Sequence, residues 1–172
     1  MRPLACAALV IASGALVGVF APGGRATSRA VTTPGDGCLV VKQGIGKVVV
    51  ALTRGVVFGR FDEGTVKFDD VLAGDNSTIK VFPATPTRVT DTWTTYSGSQ
   101  IRFRTSGAVR ISFTGQLLDL SAVGKGTTWL SSAGLGFAGT FSVDASSLCL
   151  DGFQDMPPIA TKFQIANPVT GS

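Results

Sequence analysis

Residues 59–70, GRFDEGTVKFDD, hold four carboxylates within nine positions: Asp62, Glu63, Asp69 and Asp70. A group this dense has the composition of a metal site or of the paired acids of a hydrolase. The spacing points elsewhere. Gly64 can take the left-handed conformation that closes a three-residue hairpin loop around Asp62 and Glu63. The same hairpin sets Phe58 opposite Phe68 and carries Asp69 roughly 15 Å from the turn, at ~3.3 Å per residue. Asp69 and Asp70 then point to opposite faces of a strand. The four acids are expected as turn and strand-end residues. DDVLAGDNS (69–77) misses the spacing of a calcium loop, and Asn76-Ser77-Thr78 forms a glycosylation sequon. The chain has no histidine, which removes Ser-His-Asp and Cys-His nucleophiles and His-liganded metals. No cofactor, metal or catalytic residue is expected. A hydrolase using paired aspartates, drawn from Asp91, Asp119 and Asp144, stands as the alternative.

The cations are patterned more sharply. In QIRFRTSGAVRISFTG (100–115), Ile101, Phe103, Val109, Ile111 and Phe113 share one face at period two, and Arg102, Arg104, Arg110 and Ser112 share the other. A three-residue loop at Thr105-Ser106-Gly107 keeps the arms in phase, pairing Phe103 with Val109 and Arg102 with Arg110. Like charges directly opposed destabilise a sheet. Arg102, Arg104 and Arg110 therefore predict either a structural acid, with Asp119 the nearest candidate, or an external anion such as an acidic polysaccharide or a phosphate-rich polymer. In TRVTDTWTTYSGS (87–99), Trp93 and Tyr96 are candidates for stacking on sugar rings. Strict alternation sends them to opposite faces, and core packing of Trp93 is the competing use.

These side chains need elements to hold them. Arg2 precedes an apolar run at 4–20, and Gly24-x-Ala26 and Ser28-x-Ala30 follow as small-x-small cleavage sites, so residues 1–30 read as a secretory signal peptide. Arg2, Arg25 and Arg29 lie in that leader, so 15 basic residues become 12 against 11 acids, a net charge of +1. The basic composition thus gives no reason to expect a nucleic-acid partner, and no second apolar run predicts a membrane span. Outside the leader the cysteines are Cys38 and Cys149, expected to form a disulfide in an oxidising compartment. Residues 31–37 read as a flexible lead-in, 38–166 as one β domain and 167–172 as a frayed tail. Within the domain, short β-branched and aromatic runs alternate with Gly, Ser, Asn and Asp, without a helical period. Arg54-Gly55 is a candidate turn, followed by a strand at 56–61 that is apolar on both faces and so expected to be covered on both. Residues 46–68 can be laid on 107–130, which suggests two similar half-domains. The expected fold is all-β, a single antiparallel sandwich or flattened barrel, with a β-solenoid as alternative.

Three segments, Tyr96-Ser97-Gly98, Arg102-Phe103-Arg104 and Asp119-Leu120-Ser121-Ala122-Val123-Gly124, resemble a group of exported, uncharacterised bacterial proteins built from short strands. That resemblance implies the strand-rich fold and carries no activity or site. The functional expectation is a non-enzymatic exported binding or structural module of the cell envelope or extracellular space, with an extracellular or cell-wall polymer as partner. A carrier with an apolar interior is a further alternative.

Overall fold

A computed structural model describes residues 35–70, 78–134, 138–145 and 149–166. The expected leader at 1–30, the expected tail at 167–172 and residues 71–77, which carry most of the DDVLAGDNS segment and of the sequon, lie outside the described residues. The end of the lead-in belongs to the domain: Asp36 Oδ1 accepts a hydrogen bond from Arg54 Nη2 at 2.7 Å, and Gly37 opens the first strand. The elements are β1 (Gly37–Asp70), β2 (Thr78–Phe82), β3 (Arg88–Val89), β4 (Trp93–Ser106), β5 (Val109–Ser132), β6 (Thr140–Asp144), β7 (Gln154–Asp155) and β8 (Thr161–Gln164). They form one antiparallel sheet, with the path β2-β4-β1-β5-β8, that is not closed into a barrel. No helix among the described residues is long and apolar enough to cross a membrane.

The expected hairpins are absent, and the reason is topological. β1 and the β4–β5 segment run past one another as two long strands, each bordering the other along both edges. Phe113 has Val48 on one side and Val66 on the other, 18 residues apart. Leu52 pairs with Val109 while Arg54 pairs with Lys125. Both ends of a stretch that would span roughly 50 Å if straight therefore meet the same few residues of β1, so the strands must coil. Arg102 lies opposite Arg60 instead of Arg110, and Phe103 opposite Gly59 instead of Val109. Phe58 faces Arg104 and Ser121, whereas Phe68 faces Thr94 and Ile111. Nor do 46–68 and 107–130 form separate half-domains, because they pair with each other.

Glycines mark where the coil bends. Gly37, Gly46, Gly55 and Gly64 recur nine residues apart. Gly46 and Gly64 both pair with Gly115, and Gly64 pairs also with Gly98, giving one row across four passes of the sheet. Gly37 and Gly55 both pair with Gly124, and Gly107 N–H donates to Gly55 O at 2.9 Å, giving a second row. Between the rows the sheet is folded into two facing layers. The first contains 38–45, 56–63, 99–106 and 116–123 with β2 and β6. The second contains 47–54, 65–70, 93–97, 108–114 and 126–132 with β3 and β8. Rings that are not ladder neighbours meet across the space between: Phe61 on Phe113 at 4.9 Å, Phe68 on Phe103 at 5.4 Å, and Phe141 on Phe163 at 4.8 Å. The sandwich-like core is closed by these contacts, with aliphatic Leu39, Val50, Ile111, Leu118 and Leu130 buried among them.

Two buried threonines separate packing from hydrogen bonding. Thr128 Oγ1 donates to Val49 O at 2.9 Å, while Thr105 Oγ1, equally buried, has no partner among the described residues. A net hydrogen bond contributes about 1 kcal/mol, and an unsatisfied buried hydroxyl costs a comparable amount. Thr128→Val is thus expected to destabilise by about 1 kcal/mol, and Thr105→Val to be neutral or stabilising by up to about 1 kcal/mol. Urea unfolding of the two variants checks the opposite signs.

Candidate functional site

Alternation along β1, β4 and β5 turns one set of side chains of the first layer into the core and the other outward. Outward from β4 come Arg102 and Arg104, from β1 Phe58 and Arg60, from β2 Lys80 and Phe82, and from β5 Asp119 and Ser121. The ladder fixes their order. In one row Phe82, Arg102, Arg60 and Asp119 are successive cross-strand partners; in the next, Lys80, Arg104, Phe58 and Ser121. Arg60–Arg102 and Lys80–Arg104 are thus directly opposed cations, side by side. Among the described residues one acid is paired with this array: Arg60 Nε and Nη2 both donate to Asp119 Oδ2, at 2.9 and 2.7 Å. The Arg104 guanidinium carbon lies 5.0 Å from the centroid of the half-exposed Phe58 ring, within cation–π range. Among the described residues Lys80, Arg102 and Arg104 make no ion pair.

At one end of this face, before the row of Gly46, Gly115, Gly64 and Gly98, the sheet dips into a groove of about 600 Å³. Three non-glycine residues with φ of 53°, Gln43, Gln100 and Leu117, all line it. Each interrupts a ladder: β1–β5 pairing steps from Val41–Leu120 to Gly44–Leu118 and from Arg60–Asp119 to Glu63–Gln116, and β1–β4 pairing from Phe61–Ile101 to Glu63–Ser99. A left-handed non-glycine residue costs about 1–2 kcal/mol, and a bulky one such as Leu117 is an outlier. Gln43 N–H, released from the ladder, donates instead to Asp119 Oδ1 at 2.9 Å. Asp119 is therefore held at both oxygens. Asp62, exposed, lines the same groove together with Arg60 and Arg102.

Arg110 does not join Arg102 and Arg104. The chain crosses the Gly107 bend between them, so Arg110 lies on the outside of the second layer, opposite Ala51 and Asp69 and beside Lys47 and Trp129. Tyr96 pairs with buried Val66 and stands edge-on to Phe68 at 5.8 Å, whereas Trp93 pairs with Asp69. Trp93 and Tyr96 thus form no common platform. The acids are dispersed: Asp62 is in the groove, Asp69 is on the second layer, and Asp144 is opposite Cys38 at the far end of the first. Among the described residues no three metal-ligating side chains gather. Strand 56–61 is central in the sheet, but its outer face is open at Phe58, which is 47% exposed. Cys38 and Cys149 are joined in a disulfide.

No family model, curated protein or solved structure matches this chain. The site is therefore read from its own geometry. Sequence reasoning missed Arg60, Lys80, Phe82 and the three left-handed residues, because β1, β2, β4 and β5 bring them together from distant parts of the chain. The recoverable signal was the nine-residue glycine spacing, which places 60 in register with 102 once 64 is set opposite 98.

Proposed function

We propose that the protein is an exported, non-enzymatic binding module of the cell envelope or extracellular space, holding an anionic polymer against the outer face of its first layer. One observation carries this reading: Arg60–Arg102 and Lys80–Arg104 oppose each other directly, with Asp119 as the single paired acid among the described residues. Each like-charge pair costs roughly 0.2–1 kcal/mol in the free protein, a cost that a bound polyanion converts into attraction. The chain outside the leader carries only +1, from 12 basic and 11 acidic residues, so the concentration of cations here is local. Phe58 and Phe82 add exposed apolar surface among them, at 47% and 72% exposure. The leader and the Cys38–Cys149 bridge support export to an oxidising compartment, and the ring-filled core leaves the outer face as the surface for a ligand.

Retention on immobilised heparin tests the reading. Replacing Lys80 and Arg104 together by serine is expected to weaken low-salt binding roughly tenfold, and raising salt should release the wild-type protein. Arg110→Ser, on the other layer, is expected to change retention little. Equal losses from the double variant and from Arg110→Ser would count against a face-specific site.

A further inference from the structure

The groove beside Arg60 and Arg102 differs in chemistry from the face that leads to it. The face presents cations and rings; the groove adds the carboxylates of Asp62 and Asp119 and the amides of Gln43 and Gln100. A densely charged phosphate polymer gains from every cation and is repelled by both acids. A hydroxyl-bearing ligand with one anionic group gains from both kinds of lining, because carboxylates accept hydrogen bonds from hydroxyls, amides both donate and accept, and arginine takes the anion. A repulsive element aimed at the wrong ligand is a recognised source of specificity. We infer that this groove is a subsite for an acidic sugar residue, a pyranose bearing a carboxylate, within the polymer bound along the face. The inference rests on the face reading above and narrows it to one ligand class.

The roles follow from position. Arg102 is exposed and free of ion pairs among the described residues, so it receives the sugar carboxylate. Arg60 and the Gln43 N–H hold Asp119 at both oxygens and fix one wall. Asp62 and Gln100, on the neighbouring strands β1 and β4, face the ring hydroxyls. Phe82, 72% exposed at the groove's edge, supplies apolar surface for the C–H face of the pyranose. The three φ values of 53° concentrate backbone strain at this groove, and strain of this kind persists where a binding geometry is held in advance of the ligand.

Calorimetric titration with trigalacturonate, with its methyl ester and with linear polyphosphate of matched charge tests the assignment. Trigalacturonate is expected to bind about tenfold more tightly than its ester. Asp62→Asn should weaken trigalacturonate about fivefold while leaving binding of the polyphosphate unchanged or tighter, since it removes a negative charge beside the face. Asp62 is exposed, so the variant should fold, and its circular dichroism verifies this. Phe82→Ala should weaken trigalacturonate with little effect on polyphosphate, which has no C–H face to pack on the ring. If ester and acid bind alike, or Asp62→Asn leaves trigalacturonate unaltered, the sugar subsite is overturned. Heparin retention that still depends on Lys80 and Arg104 would then leave the face standing; loss of that dependence would remove both.

Discussion

Gly64→Ala is expected to destabilise the fold by about 3 kcal/mol and to lower the thermal midpoint by roughly 10 °C. Gly64 has φ of 156°, and a Cβ there would lie 2.6 Å from Thr114 O and 2.9 Å from Gly115 Cα. Both are backbone atoms of β5, and β5 cannot withdraw, because Gly46 pairs with Gly115 from its other side. The clash is thus locked between two passes of β1. Gly134→Ala serves as control: a Cβ there meets nothing within 4 Å, and the change should stay within about 0.5 kcal/mol. Thermal unfolding followed by circular dichroism compares them. Equal midpoints for the two variants would mean that the glycine rows do not hold the bends.

The same glycines explain which parts of the fold were legible in the sequence. Period-two alternation correctly sorted Ile101, Phe103, Val109, Ile111 and Phe113 inward and Arg102, Arg104 and Arg110 outward. It could not say where a strand ends. A hairpin and a bend in a continuing strand both call for a glycine with positive φ and look alike over five residues. What distinguishes them is the partner of each arm, which lies far away in sequence. The longer pattern does carry the answer. Nine is odd, so the core-facing positions in β1 switch parity at every glycine: Leu39 and Val41, then Val48, Val50 and Leu52, then Val57 and Phe61, then Val66 and Phe68, with disulfide-bonded Cys38 and the less buried Val49 the exceptions. A constant interval with alternating parity describes one strand turning from layer to layer. The groove was less legible, because a left-handed Gln43, Gln100 or Leu117 leaves no mark in composition. Its backbone is set where ladders between distant segments break: a register shift beside Gln43, and gaps in unshifted ladders beside Gln100 and Leu117. Arg60 illustrates the point: nothing in its local sequence marks it, yet register makes it the partner of both Arg102 and Asp119.

Removing the Cys38–Cys149 bridge is expected to be the most damaging change of covalent structure. The cysteines are 111 residues apart, and closing a loop of that size stabilises by about 4–5 kcal/mol in the chain-entropy model. For a domain with about 5–15 kcal/mol in total, that is a large fraction. The bridge also has a local task. Cys38 lies in β1 opposite Asp144 of β6, and the chain beyond Cys149 caps the sandwich through the short β6–β7 and β5–β8 ladders and through further hydrogen bonds: Ser142 Oγ to Asp151 O at 2.7 Å, Met156 N to Gly139 O at 3.0 Å and Ile165 N to Gly126 O at 2.9 Å. Without the link, residues 149–166 depend on these ladders and bonds, on Phe163 against Phe141, and on buried Met156 and Ile165. Both sulfurs are buried, so reductant should act only after opening, and the double variant Cys38→Ala, Cys149→Ala is the cleaner probe. Its urea midpoint is expected to fall by roughly 1.3–5 M for an m-value of about 1–3 kcal/mol/M. The binding proposed for the Arg102 face, which lies on β4, β1 and β2, should persist in whatever fraction remains folded. A midpoint unchanged from wild type would show that the two long strands alone hold the sandwich, and that the bridge acts on neither the unfolded chain nor the cap.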